Sequence, residues 1–297
     1  MSNTNETITI NEKHKDRIFC LLFGREEHKE NILSLYNALN NSNYENIDDV
    51  EITTIEDALY IKMKNDVSFL IDSYLSLWEQ QSTFNPNMPV RGLMYYGNLY
   101  NSYIHDRGIK IYGAKLVKLP TPKYVVFYNG TANRNSIEKL KLSDAFIHKD
   151  ENHEFEWTAT MINLNAGKNE ELLSKCKVLS DYMTLINKIR VYKKEMDNIK
   201  EAVNQAVNEC IQEGVLTEFL EKHRGDVMAN VLTEFDEEVY REGMREEVRE
   251  EVREEVREET QIELAKNLLD VLSDEEIAER IKLPLEVVQQ LRKDNVQ

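Results

Sequence analysis

Residues 62–81 read Lys62-Met-Lys64-Asn-Asp66-Val-Ser-Phe-Leu-Ile71-Asp-Ser-Tyr74-Leu-Ser-Leu-Trp-Glu79-Gln-Gln81, and the way this segment pairs with itself decides the fold. Two β-rich runs flank Asp72-Ser73, a turn-forming dipeptide of the length that closes a tight hairpin. A two-residue loop there sets Ile71 opposite Tyr74 and carries Asp66 directly opposite Glu79. Opposed residues share a face, with Cβ atoms about 4.5–5.5 Å apart. Alternation adds Lys64 and Gln81 to that face and sends Val67, Phe69, Tyr74 and Trp78 to the other. Facing carboxylates repel unless a cation lies between them, and hard oxygen donors suit Mg²⁺. Register alone leaves two readings open: a metal site, or two solvated acids near the end of a sheet.

Outward from this hairpin, 12–23 and 26–39 read as two short helices separated by Gly24, and 50–55 and 58–64 as further strands. Asn85-Pro86-Asn87 ends the strand pattern, and Pro89 opens a helix to about Ile104. That helix has an expected apolar stripe of Val90, Leu93, Met94, Gly97 and Ile104, with Arg91, Tyr95, Asn98 and Ser102 on another face. Residues 123–128 and 154–164 read as strands. The first 165 residues therefore predict an α/β fold, a mixed central sheet flanked by helices, followed by a long all-helical extension. The expected divisions are a core over 1–195, a helical extension over 196–240, a charged helix over 241–261 and a small helix-turn-helix-like module over 262–297.

Four tandem copies of Arg-Glu-Glu-Val/Thr occupy Arg245 to Thr260. As a helix they pair Glu with Arg at i,i+3, each pair contributing about 0.2–0.5 kcal/mol. The valine stripe drifts by about 40° per repeat, which fits a solvated spacer or a short coiled-coil contact. In the last module, Ser273 with Glu276 predicts a capping box and Pro284 starts a second helix, on which Glu286, Gln289, Gln290, Arg292 and Lys293 read as exposed. Oligomerisation or docking is the preferred reading of this module over DNA binding.

The 297 residues carry 37 basic and 54 acidic side chains, a net charge of −17. Residues 1–180 hold 20 basic and 24 acidic groups, so only −4 of the total lies there. The acidity belongs mainly to the helical tail, and any nucleic acid contact must use a local groove. No apolar stretch reaches the roughly 18 residues of a membrane span. Three widely spaced cysteines, Cys20, Cys176 and Cys210, read as buried thiols of a cytoplasmic protein without zinc-ligand spacing. The six histidines, His14, His28, His105, His148, His153 and His223, likewise show no metal or nucleophile spacing.

The pattern Asn65-Asp66, then Glu79-x-Gln81, resembles the PD-(D/E)XK nuclease signature. With 82–91 (Ser-Thr-Phe-Asn-Pro-Asn-Met-Pro-Val-Arg), Phe127-Tyr128-Asn129-Gly130, Ile162-Asn163-Leu164-Asn165 and the Arg/Glu repeats, the chain resembles the recombination-promoting nuclease (Rpn) family, transposase-like proteins of that class, along most of its length. The resemblance implies a restriction-endonuclease-like fold and an Mg²⁺-dependent DNA endonuclease, with Mn²⁺ as the alternative ion. It implies Asp66 and Glu79 as metal ligands and catalytic residues together with Gln81. Lys62, Lys64 and Arg91 are the candidate phosphate contacts, Glu27 or Glu30 a further helix-borne acid, and the C-terminal helices a route to a homo-oligomer. Gln81 stands where the signature has lysine; it can hydrogen-bond but brings no charge to a developing phosphate anion. The alternative is a catalytically weak or inactive nuclease-fold protein that acts as a DNA- or protein-binding regulator through its tail.

Overall fold

The structure, a computed structural model, describes residues 18–53, 66–149, 152, 154–196, 198–231, 253, 256–257 and 260–294, with Asp66 and Asp294 described by their backbone alone. It divides into two compact units, Met1–Phe235 and Asp236–Gln297. Among the described residues, no helix is long and apolar enough to cross a membrane. Most of the Arg/Glu repeat and the expected strand at 58–64, with Lys62 and Lys64, lie outside the described residues.

The first unit begins with helices α1 (Ile18–Phe23) and α2 (Lys29–Asn40), linked by a 3₁₀ turn at Glu26–His28. Strands β1 (Glu51–Ile52), β2 (Asp66–Ile71) and β3 (Tyr74–Gln81) follow, then α3 (Met88–Asp106), β4 (Thr121–Tyr128), β5 (Ile137–Lys141) and β6 (Thr158–Asn163). Helices α4 (Glu170–Lys175), α5 (Lys177–Glu195), α6 (Ile199–Gln212) and α7 (Thr217–Lys222) complete the named elements of this unit. The strands form one mixed sheet in the order β1-β2-β3-β4-β6-β5. β1, β2 and β3 are antiparallel neighbours, β3, β4 and β6 run parallel, and β5 returns antiparallel on β6.

The hairpin adopts the expected register, from Ile71 opposite Tyr74 to Asp66 opposite Glu79. Asp72 and Ser73 both take left-handed backbone, φ 44° and 66°, which matches the turn twist to the strands. β3 is central and buried along nearly its whole length, so its alternating side chains feed two cores. One core gathers Val67, Phe69, Trp78 and Phe127 under α1, α2 and α5. The other gathers Leu75, Leu77, Tyr124 and Val126 under α3. Within the first core, Trp78 meets Phe69 edge-on at 4.6 Å between ring centroids, with Phe127 at 5.9 Å and Phe23 at 6.3 Å.

The inner face of α3 and the far edge of the sheet differ from the sequence reading. The buried face of α3 is Met88, Pro89, Gly92, Tyr96 and Leu99, while Leu93 and Met94 of the expected stripe are exposed. The Tyr96 hydroxyl shares its one proton between the carbonyls of Leu75 and Lys123 and accepts from the Lys123 N–H, so a polar aromatic is compatible with the inner face. β5 went unread because it is an edge strand whose Ile-Glu-Lys-Leu-Lys sequence is only half covered. Within the 196–240 segment, Val203, Ala206, Val207, Cys210, Leu220 and Val227 pack into the α1/α2/α5 core.

The second unit holds a small core of Ala265, Leu269, Ile277 and Val288. Helix α8 (Asp274–Ile281) begins with the expected reciprocal capping box between Ser273 and Glu276, and α9 (Leu285–Asp294) follows Pro284. Arg292 departs from its expected exposure: its guanidinium pairs with Asp274 at 2.6 Å and donates to the carbonyls of Leu269 and Leu272, in the turn where the preceding helix has ended.

Trp78→Ala removes the largest buried side chain of the sheet and is expected to cost about 3–5 kcal/mol, read as a lowered midpoint in urea unfolding followed by circular dichroism.

Candidate functional site

The parallel strands β3, β4 and β6 end side by side, at Gln81, Tyr128 and Asn163. In open sheets of this kind, ligands are taken up beyond the carboxyl ends of the strands. Residues of three segments named above, Gln80 and Ser82, Asn129 and Gly130, and Asn165, meet there. Gln80 donates to Asn129 Oδ1 at 2.9 Å, Asn129 Nδ2 to the Tyr182 hydroxyl at 3.2 Å, and Asn165 Nδ2 to the Gly130 carbonyl at 2.9 Å. Arg190 of α5 donates to the Asn129 carbonyl. Gly130 is required at this crossing, since a Cβ there would lie 2.0 Å from the Ser82 carbonyl oxygen.

Glu79 stands two residues before the end of β3, facing α3, and is only 2% exposed. A carboxylate so placed needs opposite charge and hydrogen bonds to offset its lost hydration. Arg91, in the first turn of α3, brings Nη2 to 2.5 Å from Glu79 Oε1, and Tyr124 of β4 donates its hydroxyl to Oε2 at 2.9 Å. Tyr124 reaches this position because residue 92 lacks a side chain: a Cβ on Gly92 would lie 2.4 Å from Tyr124 Cε1. Gln81 Nε2 approaches Glu79 Oε1 at 3.4 Å and turns toward the sulfur of Met88.

The structure thus brings Glu79, Gln81 and Arg91 together and places the backbone of Asp66 at the register position opposite Glu79. Arg91, expected as a phosphate contact, is an ion-pair partner of Glu79. For a divalent ion the donors here are oxygens, as Mg²⁺ requires. Gln81 Oε1 is buried and has no hydrogen-bond partner among the described residues, which leaves an acceptor for a cation. An ion here would share Glu79 with Arg91.

A second constellation was invisible to sequence spacing. The 3₁₀ turn before α2 and the residue after α7 bring Glu27, His28 and His223 together, with their ligating atoms all within 4.8 Å of one another. Glu27 and Glu30, expected as the acid that completes the Asp66/Glu79 site, both have partners in this cluster. Burial holds the His28 imidazole below its ordinary pKa, against the upward pull of Glu27 and Glu30. The three cysteines are buried as expected. Burial raises the thiol pKa of Cys176 and pushes that of Cys210 up to about 11, which argues against either acting as a thiolate nucleophile at neutral pH.

Arg91→Met leaves the Glu79 carboxylate buried without its cation and is expected to destabilise the fold by about 3 kcal/mol, at the low end for a broken buried pair because Arg91 is partly exposed. Adding Glu79→Gln should recover most of that loss, and urea unfolding of the single and double variants measures it. Comparisons of the chain with protein-family models, with curated proteins and with solved structures return no match.

Proposed function

We propose that the chain is a metal-dependent DNA endonuclease of the recombination-promoting, transposase-like type, with its active site at the Asp66/Glu79 end of the β2–β3 hairpin. The supporting observation is the burial of Glu79 at the carboxyl end of the parallel strands, in register with Asp66 and beside Gln81. The order of elements around it, helices followed by an antiparallel β1-β2-β3 meander, α3 and a parallel β4, accords with a restriction-endonuclease-like core.

In this reading Asp66 and Glu79 would hold Mg²⁺ or Mn²⁺, and the ion would supply Lewis-acid polarisation of a phosphate oxygen and a more acidic bound water. Tyr124 fixes the carboxylate of Glu79 through its hydroxyl. Arg91 supplies a permanent positive charge beside Glu79, and a guanidinium fork suits phosphate oxygens. Gln81 orients by hydrogen bonding, so this site relies on Arg91 for the positive charge that lysine brings elsewhere. DNA approaches the near-neutral first 180 residues, with the acidic tail kept for assembly.

One observation favours a second reading, a regulator on the same fold that binds DNA or protein without cutting. The Arg91–Glu79 pair neutralises the buried carboxylate without any metal.

Supercoiled plasmid incubated with the protein and Mg²⁺ or Mn²⁺ separates the two. The endonuclease reading expects nicking that falls at least 100-fold in Asp66→Ala and in Glu79→Ala, a loss of about 2.7 kcal/mol of barrier lowering. Undiminished cleavage in both variants sinks the site assignment, and binding without any cleavage by the parent chain favours the regulator. The assembly role of the tail expects a smaller mass in solution once residues 241–297 are deleted, as read by light scattering; an unchanged mass counts against it.

A further inference from the structure

The Glu27, His28 and His223 cluster shares no residue with the Asp66, Glu79, Gln81 and Arg91 machinery proposed above. Its geometry has the polarity of a coordination site. Glu27 Oε1 is 4.0 Å from His28 Nε2 and 3.9 Å from His223 Nε2. Both Nε2 atoms are buried and have no hydrogen-bond partner among the described residues, and His223 is 92% buried. Orphaned imidazole nitrogens aimed at one carboxylate oxygen are costly unless something lies between them.

The opposite nitrogen of each ring faces a carboxylate. His28 Nδ1 is 4.0 Å from Glu30 Oε1, and His223 Nδ1 is 3.5 Å from Asp226 Oδ2. Carboxylates behind ligating histidines orient the rings and strengthen their basicity, and these two flank the rings at distances just beyond a hydrogen bond. The two rings stand nearly edge to face, 6.2 Å apart, with Phe219 closing the apolar side at 5.1 Å from His223 and 6.1 Å from His28. Among the described residues, two cations compete for the same Glu27 oxygen, Lys222 with Nζ at 3.7 Å and Arg25 with Nη1 at 3.9 Å. Lys222 is largely exposed and Arg25 partly so, and a divalent ion takes the place of either contact at little cost.

We propose that Glu27, His28 and His223 form a binding site for a zinc-class divalent ion, which clips the turn before α2 to the end of α7. Two imidazoles and a carboxylate are a borderline donor set that suits Zn²⁺ better than Mg²⁺. An ion about 2.0–2.1 Å from each donor sets tetrahedral donor separations of about 3.3 Å, so the side chains draw together by roughly 0.6–1.5 Å. Three protein ligands leave a fourth position for water. Because His28 and His223 lie far apart in the chain, the clip ties the N-terminal helices to residues 217–223.

The test is a Co²⁺ titration of the metal-stripped full chain, followed by visible absorption, with Zn²⁺ competition and thermal unfolding in parallel. One equivalent of Co²⁺ is expected with the visible bands of low coordination and no near-ultraviolet thiolate band, and Zn²⁺ should displace it and raise the unfolding temperature. Glu27→Gln, at a half-exposed position that tolerates substitution, and His28→Gln should each weaken binding at least tenfold and remove the thermal shift. Glu79→Gln should leave those low-coordination bands unchanged, because Co²⁺ on the Asp66/Glu79 oxygens would be six-coordinate and absorb only weakly. Absence of binding, equal binding by Glu27→Gln and His28→Gln, or loss of those bands in Glu79→Gln overturns the proposal.

Discussion

Ile71 meets Tyr74 because Asp72 and Ser73 adopt left-handed backbone, and the two faces of the sheet are assigned by that pairing. A slip of one residue would exchange the sides of Trp78 and Glu79. The indole would enter the face now occupied by Leu75, Leu77 and Tyr124, and the carboxylate would enter the aromatic core of Phe23, Phe69 and Phe127. Both exchanges bury the wrong chemistry, so burial on two sides makes the register far stiffer than turn propensity could. The juxtaposition of positions 66 and 79 is thus a by-product of hydrophobic packing further along the same hairpin.

Burial at Glu79 then dictates its surroundings. A carboxylate at 2% exposure persists as an anion only if its neighbours replace water, and the replacements come from two different elements, Arg91 on α3 and Tyr124 on β4. Those residues hold α3, the crossover between β3 and β4, against the sheet in one rotational setting. Opposite-charge pairing of this kind is specific rather than strongly stabilising, since most of its Coulomb energy offsets desolvation.

The hairpin, β4 and the length of α3 were legible because local signals agreed: alternation, a two-residue turn, and Pro89 at a helix start. The inner face of α3 was not, because hydropathy undervalues Gly92 and Tyr96. The glycine is inside because a partner ring needs its space, and the tyrosine because carbonyls receive its hydroxyl. At the candidate site, the opposition of positions 66 and 79 could be read from the register. The ion pair with Arg91 could not, since it depends on how the helix is rotated. The Glu27/His28/His223 cluster lay beyond spacing rules altogether, because tertiary packing of α7 near the first turn assembles it.

Gly92 and Tyr124 occupy one shared volume. A residue with any side chain at 92 requires a smaller residue at 124, and a smaller residue at 124 takes the hydroxyl away from Glu79. The two positions therefore behave as a single hereditary character: among descendants of this chain they are free to change only in company, and a lineage that exchanges both gives up its phenolic hold on the carboxylate in the same step.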